Sequence, residues 1–323
     1  MRKSLFILII VFTVPFFAGA KKLDSLKYTN YKELLLDWDN DIFLHYDYYY
    51  TQGAHIIFLN PALRKNPANH ILFQLKNADY YYGLGIIQEI YTPKDINDTL
   101  LNLVDRPYSG TLFLRSFIVS VLPEKKLRFT NQLDLGILGP LSGAEDAQRI
   151  IHDWLDLGFP NGWDFQIKNR PYLNYNFLVE KGLISIPGIF DFTGNTQVRL
   201  GNIHDDLLLG ATIRIGRINS LFKGYNLGNK SYTENRDFQI FAFANTSAVA
   251  VAYNATLMGG IIPPENNLFF KFNDIEHFIG ELTAGVEITW KFAGLRAQET
   301  WKTAEFHGGE NHGWGTVSLF FRF

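Results

Sequence analysis

Apolar and polar residues alternate along many segments of this sequence, and this alternation is the feature that most limits the possible folds. The clearest case is Leu282–Phe292, where every second residue is apolar and the residues between them are polar or small. Leu207–Gly216 and Phe238–Ala244 follow the same rhythm. A period of two with one apolar and one polar face is typical of a half-buried β-strand. The sequence therefore predicts an all-β protein.

The N-terminal segment predicts export from the cytoplasm. Met1–Ala20 has a basic start at Arg2 and Lys3, a short apolar run and a final Ala-Gly-Ala, which together are typical of a cleaved signal peptide. We expect residues 1–20 to be this signal peptide and residues 21–323 to be one domain. No later apolar stretch is long enough for a transmembrane helix. These observations favour a transmembrane antiparallel β-barrel, with apolar residues toward lipid and polar residues inside.

The spacing of the alternating segments predicts about twelve strands, an even number as in bacterial outer-membrane barrels. Pro61–Asp79 is ambiguous, because it could hold an extra short strand or form a periplasmic turn. The last segment, Gly313–Phe323, is amphipathic and ends in phenylalanine, which resembles the C-terminal signal of outer-membrane barrel proteins. The predicted strands lie near 34–45, 51–60, 80–92, 107–122, 126–138, 163–180, 183–200, 206–217, 237–253, 277–292, 295–306 and 313–323.

One segment, Ser142–Gly158, has the period of an amphipathic α-helix. A capping box of Ser142 and Glu145 is expected at its start. Gln148 and His152 are one turn apart and therefore share a face beside the apolar stripe. A helix between two barrel strands must lie in a long loop, and long loops of this kind are often functional. The predicted apolar stripe consists of Ala147, Ile151, Trp154 and Leu155.

Composition and motifs exclude several classes of function. Lys and Arg total 30 and Asp and Glu total 32, which argues against a nucleic-acid partner. The chain has no Cys, so disulfides, thiolate zinc sites and Cys nucleophiles are excluded. No serine elbow, zinc helix, P-loop or dinucleotide-binding motif occurs. Oxygen-rich segments remain at 37–41, 47–53 and 105–108, and such oxygens suit a hard cation such as Ca²⁺, although a polar lumen has the same composition.

Six motifs occur in a fixed order, and together they resemble the outer-membrane lipid A 3′-O-deacylase family. The resemblance covers about residues 34–170 and the terminal strand, whereas the second half matches only in its strand pattern. The motifs are Asp39–Phe43 (DNDIF), Asp47–Gly53 (DYYYTQG), Asp105–Gly110 (DRPYSG), Leu135–Gly143 (LGILGPLSG), Ala147–His152 (AQRIIH) and Gly162–Pro171 (GWDFQIKNRP).

This resemblance implies a twelve-stranded barrel with its active site between the barrel wall and a helix in an extracellular loop. The implied reaction is Ca²⁺-dependent hydrolysis of the ester that joins the 3′ acyloxyacyl chain to lipid A of lipopolysaccharide. His152 would be the general base that activates water, since an imidazole can accept a proton near neutral pH. Gln148 would help to hold the site, and Asn40, Asp41 and Thr51 would form its polar part around Ca²⁺. We expect a monomer in the outer membrane of a Gram-negative bacterium, with its site toward the outer leaflet.

The sequence departs from the family in the loop at Lys94–Val104, which has a single Lys where family members can carry a basic cluster suited to lipid A phosphates. Arg106 and Lys168 are expected to bind the substrate and partly replace that cluster. A lipid A with fewer phosphates is therefore one hypothesis for the substrate.

Two alternative functions stay open. The chain could be a non-catalytic barrel, either a pore or a structural protein, or another lipid-modifying barrel such as a phospholipase or a palmitoyltransferase.

Overall fold

The structure is a computed structural model that describes residues 32–44, 48–96, 105–156, 158, 160–225, 236–260 and 269–323. The predicted signal peptide, Asp47 and most of the loop at 94–104 lie outside these residues. Among the described residues, no helix has the length and apolar character needed to cross a membrane.

The described residues form twelve antiparallel strands that close into a barrel, which confirms the predicted fold class. Each strand pairs with its neighbours in sequence, and the first strand closes the barrel against the last, from the Glu33–Arg322 pair to the Asn40–Gly315 pair. The strands are β1 (Glu33–Asn40), β2 (Tyr49–Leu59), β3 (Asp79–Thr92), β4 (Ser109–Leu122), β5 (Leu127–Leu138), β6 (Arg170–Ile186), β7 (Phe190–Gly201), β8 (His204–Arg217), β9 (Phe238–Asn254), β10 (Phe278–Trp290), β11 (Ala293–Lys302) and β12 (His312–Arg322).

The helices of the described chain all lie in the connections between strands. The α-helices are α1 (Ala144–Leu155) and the single turn α2 (Ala255–Met258). Short 3₁₀ helices occur at Asp41–Leu44, Pro61–Lys65, Pro67–His70, Pro123–Lys125, Pro140–Ser142, Trp163–Phe165 and Phe272–Asp274.

Three strands, β1, β6 and β7, have boundaries that differ clearly from the prediction. β1 ends at Asn40 and not near residue 45, because the chain turns into a 3₁₀ helix at Asp41. β6 begins at Arg170 and not at 163, because Trp163–Phe165 forms another 3₁₀ helix. β6 also continues to Ile186, and β7 begins at Phe190 and not at 183, since the turn between them is formed at Gly188, which has a φ of 76°.

The ambiguous segment before β3 contains no strand. It forms two consecutive 3₁₀ helices whose first turns are capped by asparagine side chains. Asn60 Oδ1 accepts a hydrogen bond from Ala62 N at 2.8 Å, and Asn66 Oδ1 accepts one from Ala68 N at 3.0 Å. Each helix also has proline at its first position, where the missing N–H costs nothing.

Strand residues alternate between an apolar outer surface and a polar lumen, as expected for a barrel in lipid. The outward-facing positions carry large exposed apolar side chains, among them Ile56, Ile86, Leu114, Leu135, Leu209, Ile213, Leu282 and Val286. Ion pairs join neighbouring strands across the lumen side, at Arg115–Asp134, Arg128–Glu180, Arg199–Asp206, Arg214–Asp191 and Arg296–Glu287.

The described start of the β8–β9 connection, residues 218–225, packs on lumen-facing residues at one end of the barrel. Phe222 is buried against Leu59 and Phe117, and the Tyr225 ring lies 6.4 Å from the Phe117 ring. The remaining described lumen contains two polar cavities of about 410 and 290 Å³. Side chains of this connection therefore occupy part of the described lumen.

The two ends of the barrel differ in their connections. The first and last described residues, Lys32 and Phe323, and three short turns, at 123–126, 187–189 and 291–292, lie at one end. The opposite end carries long connections, including 139–169 with α1. Outer-membrane barrels have short periplasmic turns and longer extracellular loops. This rule places α1 at the extracellular end.

Candidate active site

Helix α1 is shorter than predicted, and its caps are different. The predicted capping box of Ser142 and Glu145 is wrong, because the N-cap is Gly143 with a φ of 68° and no side-chain cap. The helix ends before Asp156, which has a φ of 55°, and so stops short of Gly158. Left-handed residues at both ends thus limit the helix to twelve residues.

One face of α1 packs against the barrel wall. Ala144 and Ala147 contact a cluster that includes Ile90 of β3 and Trp163. Trp154 is 76% exposed and lies away from this contact, so its place in the predicted apolar stripe is wrong. The small residues instead form the contact, because they allow the helix to approach the wall closely.

The helix lies on the outer surface of the barrel and not in the lumen. Ile86 and Ile90 share one face of β3, since they are four residues apart in a strand. Ile86 is exposed on the outside of the barrel, whereas Ile90 is fully buried beneath α1. A site between α1 and the wall would therefore open toward the membrane.

Gly110 of β4 allows this close approach, and alanine there is expected to displace α1. A Cβ at Gly110 would lie 2.1 Å from Ala144 Cβ and 2.5 Å from Ser142 Oγ. We expect G110A to weaken the docking of α1 by roughly 1–3 kcal/mol, the usual range for overpacking. Limited proteolysis of the 139–169 connection should then be faster, while the barrel stays folded.

Gly280 provides the matched control, because a Cβ there would meet its nearest neighbour, Thr303 Cγ2, at 3.5 Å. The G280A protein should be cut at the wild-type rate. Equal protection of α1 in G110A and wild type would contradict the close packing described here.

A β-bulge brings Thr51 to the same part of the wall. The pairing of β2 with β3 shifts between Tyr50 and Gln52, so Thr51 is the extra residue. Thr51 is buried, and its Oγ1 donates a hydrogen bond to the Ile90 carbonyl at 3.3 Å. Bulges commonly redirect a side chain next to an active site. Here the bulge places a hydroxyl beside the residue on which α1 packs.

Asn40 and Asp41 reach this region from the end of β1. Asn40 is opposite Gln52 in the β1–β2 pairing, so both residues are neighbours of Thr51. Asn40 Oδ1 accepts a hydrogen bond from Ile42 N at 2.9 Å, which fixes the turn that begins at Asp41. The side chains of Asn40 and Asp41 are both buried. Neighbouring backbone positions at one edge of the wall thus carry an amide, a carboxylate and a hydroxyl group.

His152 is oriented by the chain that follows α1. It is 5% exposed, and its Nδ1 lies 2.6 Å from the Gly158 carbonyl oxygen. Because a carbonyl oxygen only accepts, the Nδ1 atom must carry the proton in this contact. In the neutral ring, Nε2 is then the proton acceptor.

Gln148 is oriented by Trp163. The indole N–H of Trp163 only donates, and it lies 2.8 Å from Gln148 Oε1. The amide group of Gln148 is therefore turned away from Trp163, and its Nε2 is buried with no hydrogen-bond acceptor among the described residues. A buried donor of this kind is positioned to bind an oxygen that carries negative charge.

The residues at the end of β1 fit a hard cation in their chemistry. Asp41, Asn40 and Thr51 supply one carboxylate, one amide oxygen and one hydroxyl, all oxygen donors of the kind that Ca²⁺ prefers. Within the described ranges, no three His, Asp or Glu side chains converge as in a carboxylate-rich metal site. Any cation here would therefore rely on Asp41 and on neutral oxygens.

The structure separates Arg106 from Asn40, Asp41 and Thr51. Arg106 is buried and donates to Glu305 Oε2 and, at 2.7 Å, to Thr256 Oγ1. Its guanidinium also lies 4.4 Å from the centre of the Tyr91 ring. These contacts tie the β3–β4 loop across the extracellular end of the lumen. Lys168, by contrast, is exposed on the connection that contains Trp163.

Glu305 keeps its charge within this network. Burial alone would raise the pKa of Glu305, but the charges of Arg106 and Lys302 outweigh burial and hold that pKa below its ordinary value. The contribution of Glu305 to stability is therefore complete above the pKa of an unfolded glutamate. It is lost only as the pH falls through the lower pKa of the folded state.

Replacing Arg106 with methionine is expected to destabilise the barrel. Removing one partner of a buried ion pair costs about 3–5 kcal/mol. We expect R106M to unfold at lower urea concentration than R149M, which breaks only the exposed Arg149–Glu145 pair. Unfolding of R106M and R149M at the same urea concentration would contradict this structural role of Arg106.

Two residues that orient the candidate site, Trp163 and Gly158, were not among the predicted site residues. Trp163 lies within the quoted motif at Gly162–Pro171, and that position was the only available indication of its importance. Gly158 contributes a backbone carbonyl, for which the sequence gives no indication.

The fold and the site together define a class of protein. A closed antiparallel barrel with an apolar outer surface spans an outer membrane, and this one carries buried polar residues beneath a helix on its outer wall. The sequence profile of the family described as outer membrane protein LpxR matches residues 5–323. The chain belongs to this family, which confirms the predicted outer-membrane location in a Gram-negative bacterium.

One solved structure agrees with the fold, and two other barrels show a weaker likeness. The structure of LpxR from Salmonella typhimurium superposes with a TM-score of 0.70 at 22% sequence identity, covering 90% of this chain and 99% of that one. The β domain of the Bordetella autotransporter BrkA gives a TM-score of 0.42 at 12% identity, covering 91% and 98% of the two chains. A COG4313 outer membrane channel from Pseudomonas putida F1 gives 0.45 at 7% identity, covering 94% and 100%. Among proteins with curated descriptions, none matches this chain in sequence.

Proposed function

We propose that this protein is an outer-membrane esterase that removes the 3′-linked acyloxyacyl chain from lipid A by attack of water on the ester. The observation that carries the proposal is the orientation of His152. Its ring is buried beneath α1, and the Gly158 carbonyl holds the proton on Nδ1. Nε2 is thereby the ring atom that can accept a proton from water.

The reaction needs one base and no covalent intermediate. His152 Nε2 takes a proton from water as the water oxygen attacks the ester carbonyl carbon. The carbonyl oxygen becomes an oxyanion, and its collapse breaks the bond to the sugar 3′ oxygen. His152 returns the proton to that oxygen. The products are a sugar 3′-hydroxyl and a free acyloxyacyl carboxylic acid.

The oxyanion has a protein donor nearby. Gln148 Nε2 is buried on the same helix face as His152, and Trp163 fixes its direction. A donor held in place before the reaction stabilises charge that develops in the transition state. Asn40, Asp41 and Thr51 would hold a Ca²⁺ ion, which would supply further positive charge for the oxyanion when bound.

The position of the site suits a substrate that lies in the membrane. α1 is on the outer wall at the extracellular end of the barrel, beside the leaflet that contains lipid A. Ile150 and Trp154 of α1 are exposed and extend the apolar surface at this level. A lipid can therefore reach the site laterally and does not need to enter the lumen.

The alternatives have less support from the same observations. A pore requires an open lumen, whereas Phe222 and Tyr225 occupy part of the described lumen. A phospholipase would use similar ester chemistry, so only the product distinguishes it.

Expression in a Gram-negative host, followed by mass spectra of lipid A and of phospholipids, makes this distinction. We expect lipid A without its 3′ acyloxyacyl chain and unchanged phospholipids, whereas lysophospholipids with intact lipid A would overturn the proposal.

A further inference from the structure

The connection between β2 and β3 folds back along the outside of the barrel. This segment, residues 60–78, is called the β2–β3 connector below. It lies at the end opposite α1, which is the periplasmic end. Three hydrogen bonds tie it to outward-facing residues of β4 and β5: Asn66 Nδ2 to Ser116 Oγ at 3.0 Å, Phe73 N to Asn131 Oδ1 at 3.2 Å and Leu75 N to Ser120 Oγ at 3.3 Å.

The connector takes the place of lipid against this part of the wall. Ser120 and Asn131 are fully buried although they face outward. Leu72 of the connector packs against Ile118 and Leu133, which also face outward. Polar groups at membrane depth must be hydrogen-bonded within the protein. Phe73 N and Leu75 N of the connector donate to Asn131 Oδ1 and Ser120 Oγ, so the connector covers these two polar groups on the outer side of the wall.

The exposed side of the connector is apolar at its centre. Ile71 is 61% exposed and Phe73 is 51% exposed. The Phe73 ring packs edge-to-face on Phe129 of β5 at 5.4 Å, and Phe129 lies 6.2 Å from Phe177 of β6. The apolar surface of the connector is thus continuous with the outer surface of the barrel.

The charged residues of the connector are all basic. It contains Arg64, Lys65 and Lys76 and no Asp or Glu. Lys65 and Lys76 are exposed on either side of the apolar centre. A basic, amphipathic segment at a membrane surface attracts anionic lipid headgroups.

We propose that the β2–β3 connector binds anionic phospholipids of the inner leaflet of the outer membrane. Acyl chains contact Ile71 and Phe73, and headgroup phosphates bind Lys65 and Lys76. The leaflet follows from the periplasmic position of the connector, and the occupant follows from its continuity with the lipid-facing wall and from its charge. This binding is independent of the proposed hydrolysis.

The absence of Cys from the chain allows the burial of Phe73 in lipid to be tested with one label. A nitroxide is attached to F73C in the whole protein, reconstituted in vesicles of phosphatidylethanolamine and phosphatidylglycerol. We expect frequent collisions with oxygen and few with a water-soluble nickel complex, as for I213C on the lipid-facing wall. Access to nickel equal to that of E124C, in an exposed turn, would overturn the proposal. Exclusion of both reagents would indicate a second copy of the chain and would overturn it equally.

The role of the positive charge on the connector is tested by measuring whether the protein prefers an anionic lipid. Spin-labelled phosphatidylglycerol and phosphatidylcholine are compared for the fraction immobilised by the protein. We expect at least a twofold preference for phosphatidylglycerol in wild type, and its loss in K65Q/K76Q. The matched variant K125Q/K126Q removes the same charge from the neighbouring β4–β5 turn and should keep the preference. An unchanged preference in K65Q/K76Q, or an equal loss in both variants, would overturn the proposal.

Discussion

Replacing His152 with alanine is expected to lower lipid A hydrolysis by about 10²–10⁴-fold, the usual contribution of a general base. The reason is that no other group in the proposed mechanism accepts the proton of water. His152 is buried beneath α1 with Nδ1 bound to the Gly158 carbonyl, so its removal deletes the oriented Nε2. Initial rates with purified protein and lipid A in detergent measure the effect.

The neighbouring residue Asp153 provides the control for H152A. Asp153 is exposed on the same helix, so D153A changes α1 without changing the site and should keep wild-type activity. Both variants should show the gel mobility of a folded barrel before heating. Wild-type rates in folded H152A would contradict the assignment of the base.

Replacing Asp41 with asparagine is expected to raise the Ca²⁺ concentration for half-maximal activity by about tenfold or more. Asp41 is the only carboxylate among the proposed ligands, and the charge of the ligands sets the affinity of a Ca²⁺ site. Its side chain is 2% exposed, so water cannot readily replace the lost oxygen charge. Activity measured over a range of Ca²⁺ concentrations buffered with a chelator gives the shift.

Asp37 offers the matched control for D41N. It lies on β1, the strand that precedes Asp41, but its side chain faces the lumen, where its Oδ2 lies 3.7 Å from His55 Nδ1. D37N should therefore leave the Ca²⁺ titration unchanged. A D41N titration that coincides with the wild-type curve would remove Asp41 from the ligands.

The barrel could be predicted from sequence because apolar and polar residues alternate along each strand, and this alternation reflects the different environments on the two sides of the strand. In β10, for example, Val286 faces outward and Glu287 forms an ion pair inside. Residue alternation does not predict the caps of α1, because these depend on the left-handed backbone conformation of Gly143 and Asp156. Nor does it locate the small-residue contact of α1, because that contact depends on the opposing Gly110 of the wall.

The candidate site could be predicted in its residue types but not in its geometry. His152 and Gln148 follow from their shared helix face and the motif that contains them. The bulge at Thr51 depends on the register with β3, and the direction of Gln148 depends on Trp163. Arg106 is paired with Glu305, 199 positions away in the sequence, so its burial in the lumen could not be inferred from the loop that carries it.

The central claim is that the site on the outer wall hydrolyses the 3′ ester of lipid A with the help of Ca²⁺. The most direct test is to incubate the purified protein with lipid A, with Ca²⁺ or with chelator, and to record mass spectra of the products. We predict loss of the 3′ acyloxyacyl mass, with the free acyloxyacyl acid as product, only when Ca²⁺ is present. Intact lipid A in both samples, with the barrel shown to be folded, would contradict the claim.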